Sequence, residues 1–237
     1  MIDFHSHVLP KMDDGSKSKE ESVAMLETAY SQGVEGIFAT PHFYPQRDDP
    51  ESFLRRREHS VKSLFSTDAE ILEKMPIYLG AEVAYFYGMS RYDNLSRFAL
   101  GGSDHVLVEM PFDKWTREEV DEILSFKSVS GFTPVVAHFE RYLPFGNKRF
   151  IKLFLSGDVL IQSNAEFFIG RGGRKAVSYL KKGYISVLGS DCHNTDSRPE
   201  NYGKAVELIK KIKKGALLAS IEENEKNVVK RCVPYSL

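Results

Sequence analysis

The chain has 237 residues, 42% hydrophobic and 27% charged, which suits one α/β barrel or two small domains. With 32 lysines and arginines against 33 aspartates and glutamates, the formal net charge of -1 offers no general basic field for nucleic acid or an anionic membrane. No apolar run approaches the roughly 20 residues of a membrane-spanning helix, and Asp3, His5 and His7 stand where a signal peptide would be basic and then apolar, so a cytoplasmic protein without membrane insertion is expected.

Short apolar strands alternate with amphipathic helical stretches along the chain, the pattern of βα units around a parallel sheet. The first strand, MIDFH, leads into His5 and His7; strand alternation turns both imidazoles the same way, toward one object. Asp14 follows in the loop MDDG. Ser18 with Glu21 makes a capping box for a helix in which Val23, Leu26 and Tyr30 share a face and which Gly33 stops. The strand EGIFAT runs out to His42, and RDDPESFLRRREHS reads as a charged loop entering an exposed helix. IYLGAEV carries Glu82, DHVLVEM carries Glu109 and TPVVAH ends on His138; DVLIQSN follows, and ISVLGSD leads into Asp191 and His193. The segment GRGGRKAV has three glycines and three basic residues but neither the G-x-G-x-x-G nor the Walker A spacing, so it is a loop-to-helix junction. No repeat, low-complexity tract or linker interrupts the series, and residues 1–237 read as one domain.

Active sites of parallel barrels are built at the C-terminal ends of different strands. His5, His7, Asp14, His42, Glu82, Glu109, His138, Asp191 and His193 are therefore expected to converge, although they are scattered along the chain. Apolar strands ending in ionisable groups are costly to bury unless those groups pair or bind a cation. An ion takes three or four protein ligands plus water, so this set implies two or three ions with a carboxylate as a bridge. The only cysteines, Cys192 and Cys232, lack C-x-x-C spacing, so the ligands are nitrogen and oxygen, which suits Mn2+, Fe2+ or Zn2+. His59, in a charged helix, and His105, at a strand entrance, are read as structural.

In MIDFHSH, MDDG, ATPH, GAE, VLVEMPF, TPVVAHFERY and SDCHNTDSRP the chain resembles the polymerase-and-histidinol-phosphatase (PHP) superfamily. Within it the chain looks like the manganese-dependent protein-tyrosine phosphatases of bacterial capsule and exopolysaccharide operons, the CpsB/YwqE-like group. The resemblance spans nearly the whole chain and implies an α/β fold, a distorted (β/α)7 TIM-like barrel holding three divalent metal ions, Mn2+ first among the three candidates. It assigns the first ion to His5, His7, Glu82 and Asp191, the second to Glu82, Glu109 and His138, and the third to Asp14, His42 and His193. It also implies that Arg141 and Arg198 bind the phosphate oxygens, and that the substrate is a phosphotyrosine protein, the tyrosine-rich tail of a bacterial tyrosine kinase of the same operon.

The chemistry is consistent with that assignment. Metal binding lowers the pKa of water from about 15.7 to about 7, so a hydroxide bridging two ions attacks phosphorus directly, while the guanidinium forks match phosphate geometry. Phenol, with a pKa of about 10, leaves with little help from an acid; Asp14 and His193 are the candidates to supply it through a water. Two features depart from the family: Phe139 in HFER, where HPER or HIER is usual, and the loop FYPQRDDPESF, where Phe43 and Tyr44 either pack the loop or stack on a phosphotyrosine ring.

Three alternatives stand beside this reading. Cys192 and Arg198 have the C-x-x-x-x-x-R spacing of cysteine-dependent tyrosine phosphatases, but HNTDS lacks the glycine that helps such loops turn their amides inward. If Asp191 and His193 face the rim, alternation sends Cys192 into packing. A second alternative keeps the metals and takes a small phosphomonoester such as histidinol phosphate. A third, a non-catalytic scaffold, conflicts with the presence of all nine candidate ligands and both arginines.

Overall fold

The computed structural model describes residues 1–212 and 215–236. Its strands are β1 (Ile2–Ser6), β2 (Gly36–Ala39), β3 (His42–Phe43), β4 (Ile77–Leu79), β5 (Glu82–Ala84), β6 (His105–Glu109), β7 (Thr133–Val136), β8 (Leu160–Asn164) and β9 (Val187–Gly189). The helices are α1 (Lys19–Ser31), α2 (Pro50–Phe65), α3 (Ile71–Lys74), α4 (Leu95–Phe98), α5 (Arg117–Ser130), α6 (Lys148–Phe154), α7 (Glu166–Ile169), α8 (Gly173–Lys181), α9 (Tyr202–Lys210) and α10 (Ala216–Val229).

Every strand pair is parallel, in the runs β1-β2-β4 and β3-β5-β6-β7-β8-β9. Two expected strands are interrupted, one at Thr40-Pro41 and one at Gly80-Ala81, which splits them into β2/β3 and β4/β5. The breaks lie side by side and are stitched by Gly80 N to Ala39 O at 2.9 Å and Glu82 N to Pro41 O at 3.1 Å. Proline, having no N–H, explains the first break. Beyond β9 the chain returns to β1: Asp191 N donates to His5 O at 2.7 Å and His7 N to Cys192 O at 2.9 Å. Counting the two split strands as one each, seven parallel staves close into a barrel.

Alternate residues separate the two faces. Phe38, Tyr78, Leu107, Val135 and Val187 form an inner cluster, while Ile37, Ile77, Val106, Val136 and Leu188 pack outward under the helices. β1 breaks this alternation. Between the Asp3–Ile37 and Ser6–Ala39 partners, Phe4 and His5 together stand opposite Phe38. This β-bulge lets Phe4 join the inner cluster while His5 and His7 also face inward.

Ser18 does cap α1, accepting from Glu21 N at 3.2 Å, but the Glu21 carboxylate reaches Lys17 N at 2.8 Å, so the expected reciprocal box is displaced by one residue. The buried face of α1 is Ser22, Met25, Leu26 and Ala29, and Tyr30 is largely exposed. The periodicity located the helix; which stripe meets the barrel depends on how it docks.

Candidate metal centre

The nine candidate ligands meet at the C-terminal rim. His5 Nε2 lies 3.2 Å from His7 Nε2 and 3.1 Å from Glu82 Oε2. Glu82 Oε2 is 2.9 Å from His42 Nδ1, and Glu82 Oε1 is 2.8 Å from His138 Nε2, which in turn lies 3.5 Å from Glu109 Oε1. Asp191 Oδ1 stands 3.5 Å from both His7 Nε2 and His193 Nδ1, and Asp14 Oδ1 is 3.4 Å from His193 Nε2 and 3.6 Å from His42 Nε2. Three sets have ligand atoms within 4.8 Å of one another: His7, Asp14, His42 and His193; His5, His7 and Glu82; and His42, Glu82 and Glu109. These sets overlap the family grouping without reproducing it, since His7 and His42 each belong to two of them and His138 and Asp191 to none.

The donor chemistry fits bound cations. His7 Nδ1 lies 2.7 Å from Asp13 Oδ2, and His5 Nδ1 lies 3.3 Å from Gln162 Oε1. Each Nδ1 therefore carries its hydrogen toward an oxygen, leaving two bare Nε2 lone pairs face to face. That repulsion is relieved by a proton or a metal ion between them. His42 Nδ1, Glu82 Oε2, His138 Nδ1 and His193 Nε2 are buried without an aligned hydrogen bond, which again suits ligands to cations.

Electrostatics point the same way. Burial pushes the Glu82 carboxyl up, but the charges of His5 and His42 outweigh it and hold it well below the usual carboxylate range. Asp191 is held low likewise, burial being overcome by His5, His7 and Arg141. Burial disfavours charge on His138, yet its bonds to Glu109 and Glu82 raise it to about 9, and Asp13 raises His7 well above the ordinary range against its own burial. His193 is lowered to about 3 by burial and by the neighbouring charge of His7, so it stays neutral. The two carboxylates thus call for positive charge, and cations must compete with protons for the site.

Three contributors were not singled out from the sequence. Asp13, neighbour of the predicted Asp14, orients His7 and accepts from His42 N at 2.9 Å. Gln162 Oε1 accepts from His138 N at 2.7 Å as well as from His5, and Gln162 Nε2 donates to Asn164 Oδ1 at 2.9 Å. Asn164 Nδ2 then donates to Asp191 Oδ2 at 2.9 Å. The doubled aspartate in MDDG was the available signal for Asp13; the polar end of β8, Gln162-Ser163-Asn164, was the signal for the others. Close approach also matters: a Cβ on Gly15 would lie 2.4 Å from His7 O, and one on Gly189 would lie 2.6 Å from His5 Cβ. His138 and Asp191 adopt φ of 28° and 53°, strained values for residues with side chains, held by this surrounding network.

Arg141 Nη2 and Arg198 Nη2 both donate to Asp191 Oδ2, at 2.5 and 2.9 Å. Asp191 therefore faces the imidazoles with one oxygen and anchors the arginine pair with the other. Both guanidiniums are about one third exposed, 36% and 35%, and keep further N–H groups for an anion at the mouth.

The cysteine alternative fares badly. Cys192 is 3% exposed, and burial pushes its thiol far up, away from thiolate. The amides of Asp196, Ser197 and Arg198 all donate to Asn194 Oδ1, at 3.0, 2.7 and 3.0 Å, so they do not turn inward around an anion. Cys192 is buried as expected, although the left-handed φ of Asp191 contributes to this as well as alternation. His59 is exposed on α2, and His105 pairs with Asp104 at 3.0 Å, both away from the centre. Phe43 packs fully buried on Phe98 at 4.1 Å, while Tyr44 stacks on His42 at 5.2 Å with Arg47 over its ring. The GRGGRKAV segment is the junction between α7 and α8.

Comparison with known proteins agrees with this architecture. Residues 1–230 match the family model described as capsular polysaccharide synthesis, CpsB/CapC. The tyrosine-protein phosphatase CpsB of Streptococcus pneumoniae is 32% identical over 230 residues, covering 89% of this chain and 90% of the relative. Tyrosine-protein phosphatase YwqE of Bacillus subtilis is 27% identical over 222 residues, covering 89% and 84%. A crystal structure from a study of YwqE and CpsB, described there as unique metal-dependent tyrosine phosphatases, superposes with a TM-score of 0.83 at 23% identity, covering 99% of this chain and 96% of that one. The fold, the rim and the match along nearly its full length together place the chain in the CpsB/CapC family of capsular polysaccharide synthesis proteins.

Proposed function

We propose that this chain is a metal-dependent protein-tyrosine phosphatase, one catalytic domain over residues 1–237, and that its partner is the tyrosine-rich tail of a bacterial tyrosine kinase controlling capsule or exopolysaccharide synthesis. The observation that carries the reading is the meeting at one barrel rim of seven grouped imidazole and carboxylate ligands, with His138 and Asp191 in contact with them and two arginines on Asp191. The relatives' names, tyrosine-protein phosphatase, support the reaction class.

In this reading His5, His7, Asp14, His42, Glu82, Glu109, His138, Asp191 and His193 would hold three divalent ions, Mn2+ for preference, and Glu82, which touches four imidazoles, would be the carboxylate they share. Such ions supply charge neutralisation and bring the pKa of water from about 15.7 toward about 7. Arg141 and Arg198 bind the phosphate oxygens with fork-shaped donors and stabilise charge there during displacement. Asp191 keeps both guanidiniums aimed, and Asp13 and Gln162 keep His7 and His5 in the tautomer that presents Nε2. The phenolate leaves with little protonation, its conjugate acid having a pKa of about 10. The free thiols Cys192 and Cys232 suit a reducing cytoplasm, and among the described residues no helix is long and apolar enough to cross a membrane.

The test is turnover of a phosphotyrosyl peptide and of histidinol phosphate by Mn2+-loaded protein, with and without chelator. The expected result is chelator-sensitive hydrolysis favouring the phosphotyrosyl peptide. Preference for histidinol phosphate would move the substrate to small phosphomonoesters, and chelator-resistant turnover would overturn the metal mechanism.

A further inference from the structure

The rim carries aromatic rings as well as charge; Tyr87, past β5, is 86% exposed, and Phe112 is the exposed ring stacked beside a ligand imidazole. Tyr142 is fully buried and Trp115 is 2% exposed. Tyr44 is covered by His42 and Arg47. Phe112, three residues past Glu109, is 47% exposed; its ring lies 20° from parallel to the His138 imidazole with centroids 5.7 Å apart, and 5.5 Å from Tyr142. Covering such a ring with another flat apolar group removes area from water and is favourable.

Its loop is firmly held. Met110 N donates to the Tyr142 hydroxyl at 2.9 Å, the Trp115 indole donates to Pro111 O at 3.0 Å, and Asn147 Nδ2 donates to Asp113 O at 2.8 Å. The backbone on both sides of Phe112 is thus pinned by buried side chains, and the ring is presented rather than mobile. Around the barrel, Phe112 follows β6, the neighbour of β7, whose end carries His138 and Arg141.

The geometry points to Phe112 as the platform on which the aryl ring of a phosphotyrosyl side chain rests while its phosphate sits between the arginines and the metal centre. The inference rests on the proposed phosphotyrosine activity and adds a specificity-determining residue to it. A flat ring parallel to a ligand imidazole favours an aryl phosphate over an alkyl one, because only the aryl group stacks. Phe139, one of the two departures from the family pattern, has no part in it: it is fully buried, against Phe167 and Tyr179.

The experiment uses Mn2+-loaded protein, with phosphotyrosyl peptide as substrate and phenylphosphonate, methylphosphonate and inorganic phosphate as inhibitors. Phe112→Ala and the milder Phe112→Leu are expected to raise KM for the peptide and the inhibition constant of phenylphosphonate about three- to tenfold, as the loss of one stacked pair implies. Methylphosphonate and phosphate should bind as before, and Phe112→Tyr should restore wild-type values. Equal weakening toward all three inhibitors would show that Phe112 acts only by supporting His138, and unchanged phenylphosphonate binding would show that no ring rests there; either overturns the inference. Failure of the underlying reading is separately visible, as wild-type protein that does not hydrolyse the phosphotyrosyl peptide at all.

Discussion

Gln162→Leu tests whether the first strand's histidines are ligands by design of their surroundings. Gln162 is fully buried, and its Oε1 accepts from His138 N at 2.7 Å and His5 Nδ1 at 3.3 Å. Leucine nearly preserves the volume and strands both N–H groups. At about 1–3 kcal/mol for each unpaired buried group, the fold should lose about 2–6 kcal/mol. The His5 ring also loses the acceptor that fixes Nε2 as its free lone pair, and the loss of such a partner costs about 10- to 100-fold in metal affinity. Gln162→Glu retains the acceptor and should bind metal much closer to wild type. The assay is calorimetric Mn2+ titration of each variant, with circular dichroism confirming that it is folded. Wild-type Mn2+ affinity in folded Gln162→Leu would refute the reasoning, because the His5 tautomer would then be set elsewhere.

Other outcomes follow from the same geometry. Cys192→Ser should retain turnover within about twofold, since a buried thiol far from thiolate does no chemistry; its loss alongside chelator resistance would reinstate a thiolate nucleophile. Arg141→Ala should lower kcat/KM on phosphotyrosyl peptide about 100- to 1,000-fold, with Arg141→Lys recovering only part because the fork is gone. Mn2+ titration at pH 7 in buffers of different ionisation enthalpy should reveal proton release, since His7 and His138 are raised above their ordinary range. Buried Glu225, 1% exposed, has its carboxyl lifted from 4.5 to about 8 by burial. A folded-state pKa above the unfolded one gives a contribution that is full below 4.5 and lost as pH rises through about 8. Melting curves should therefore show Glu225→Gln gaining on wild type as pH rises from 5 to 9, by about 2–4 °C for each kcal/mol relieved; parallel pH profiles would contradict the assignment.

Much of this protein is legible in its sequence because a strand's period of two and the rule that barrel sites sit at strand ends turn one-dimensional spacing into a shared direction. The seven staves and the ligand candidates His5 through His193 follow from that, whereas the arginine pair came only from the family resemblance. Asp13, Gln162 and Asn164 escaped notice because their roles are second contacts, visible only once another strand's imidazole is placed beside them. The split of two strands at Thr40-Pro41 and Gly80-Ala81 is punctuated in the sequence by Pro41 and Gly80. The inward aim of His5 is different: it depends on a bulge against Phe38 that only pairing creates.

The sequence by itself therefore determined the kind of atoms available for chemistry and the end of each strand at which they stand, since both depend on residue identity and local backbone period. Only the tertiary structure decided which nitrogen of each imidazole faces inward, that Asp191 shares its two oxygens between imidazoles and arginines, and that Phe112 stands half-exposed beside His138. Those properties arise from hydrogen bonds and contacts between residues tens to hundreds of positions apart, and no local pattern encodes distances that appear only when the barrel closes.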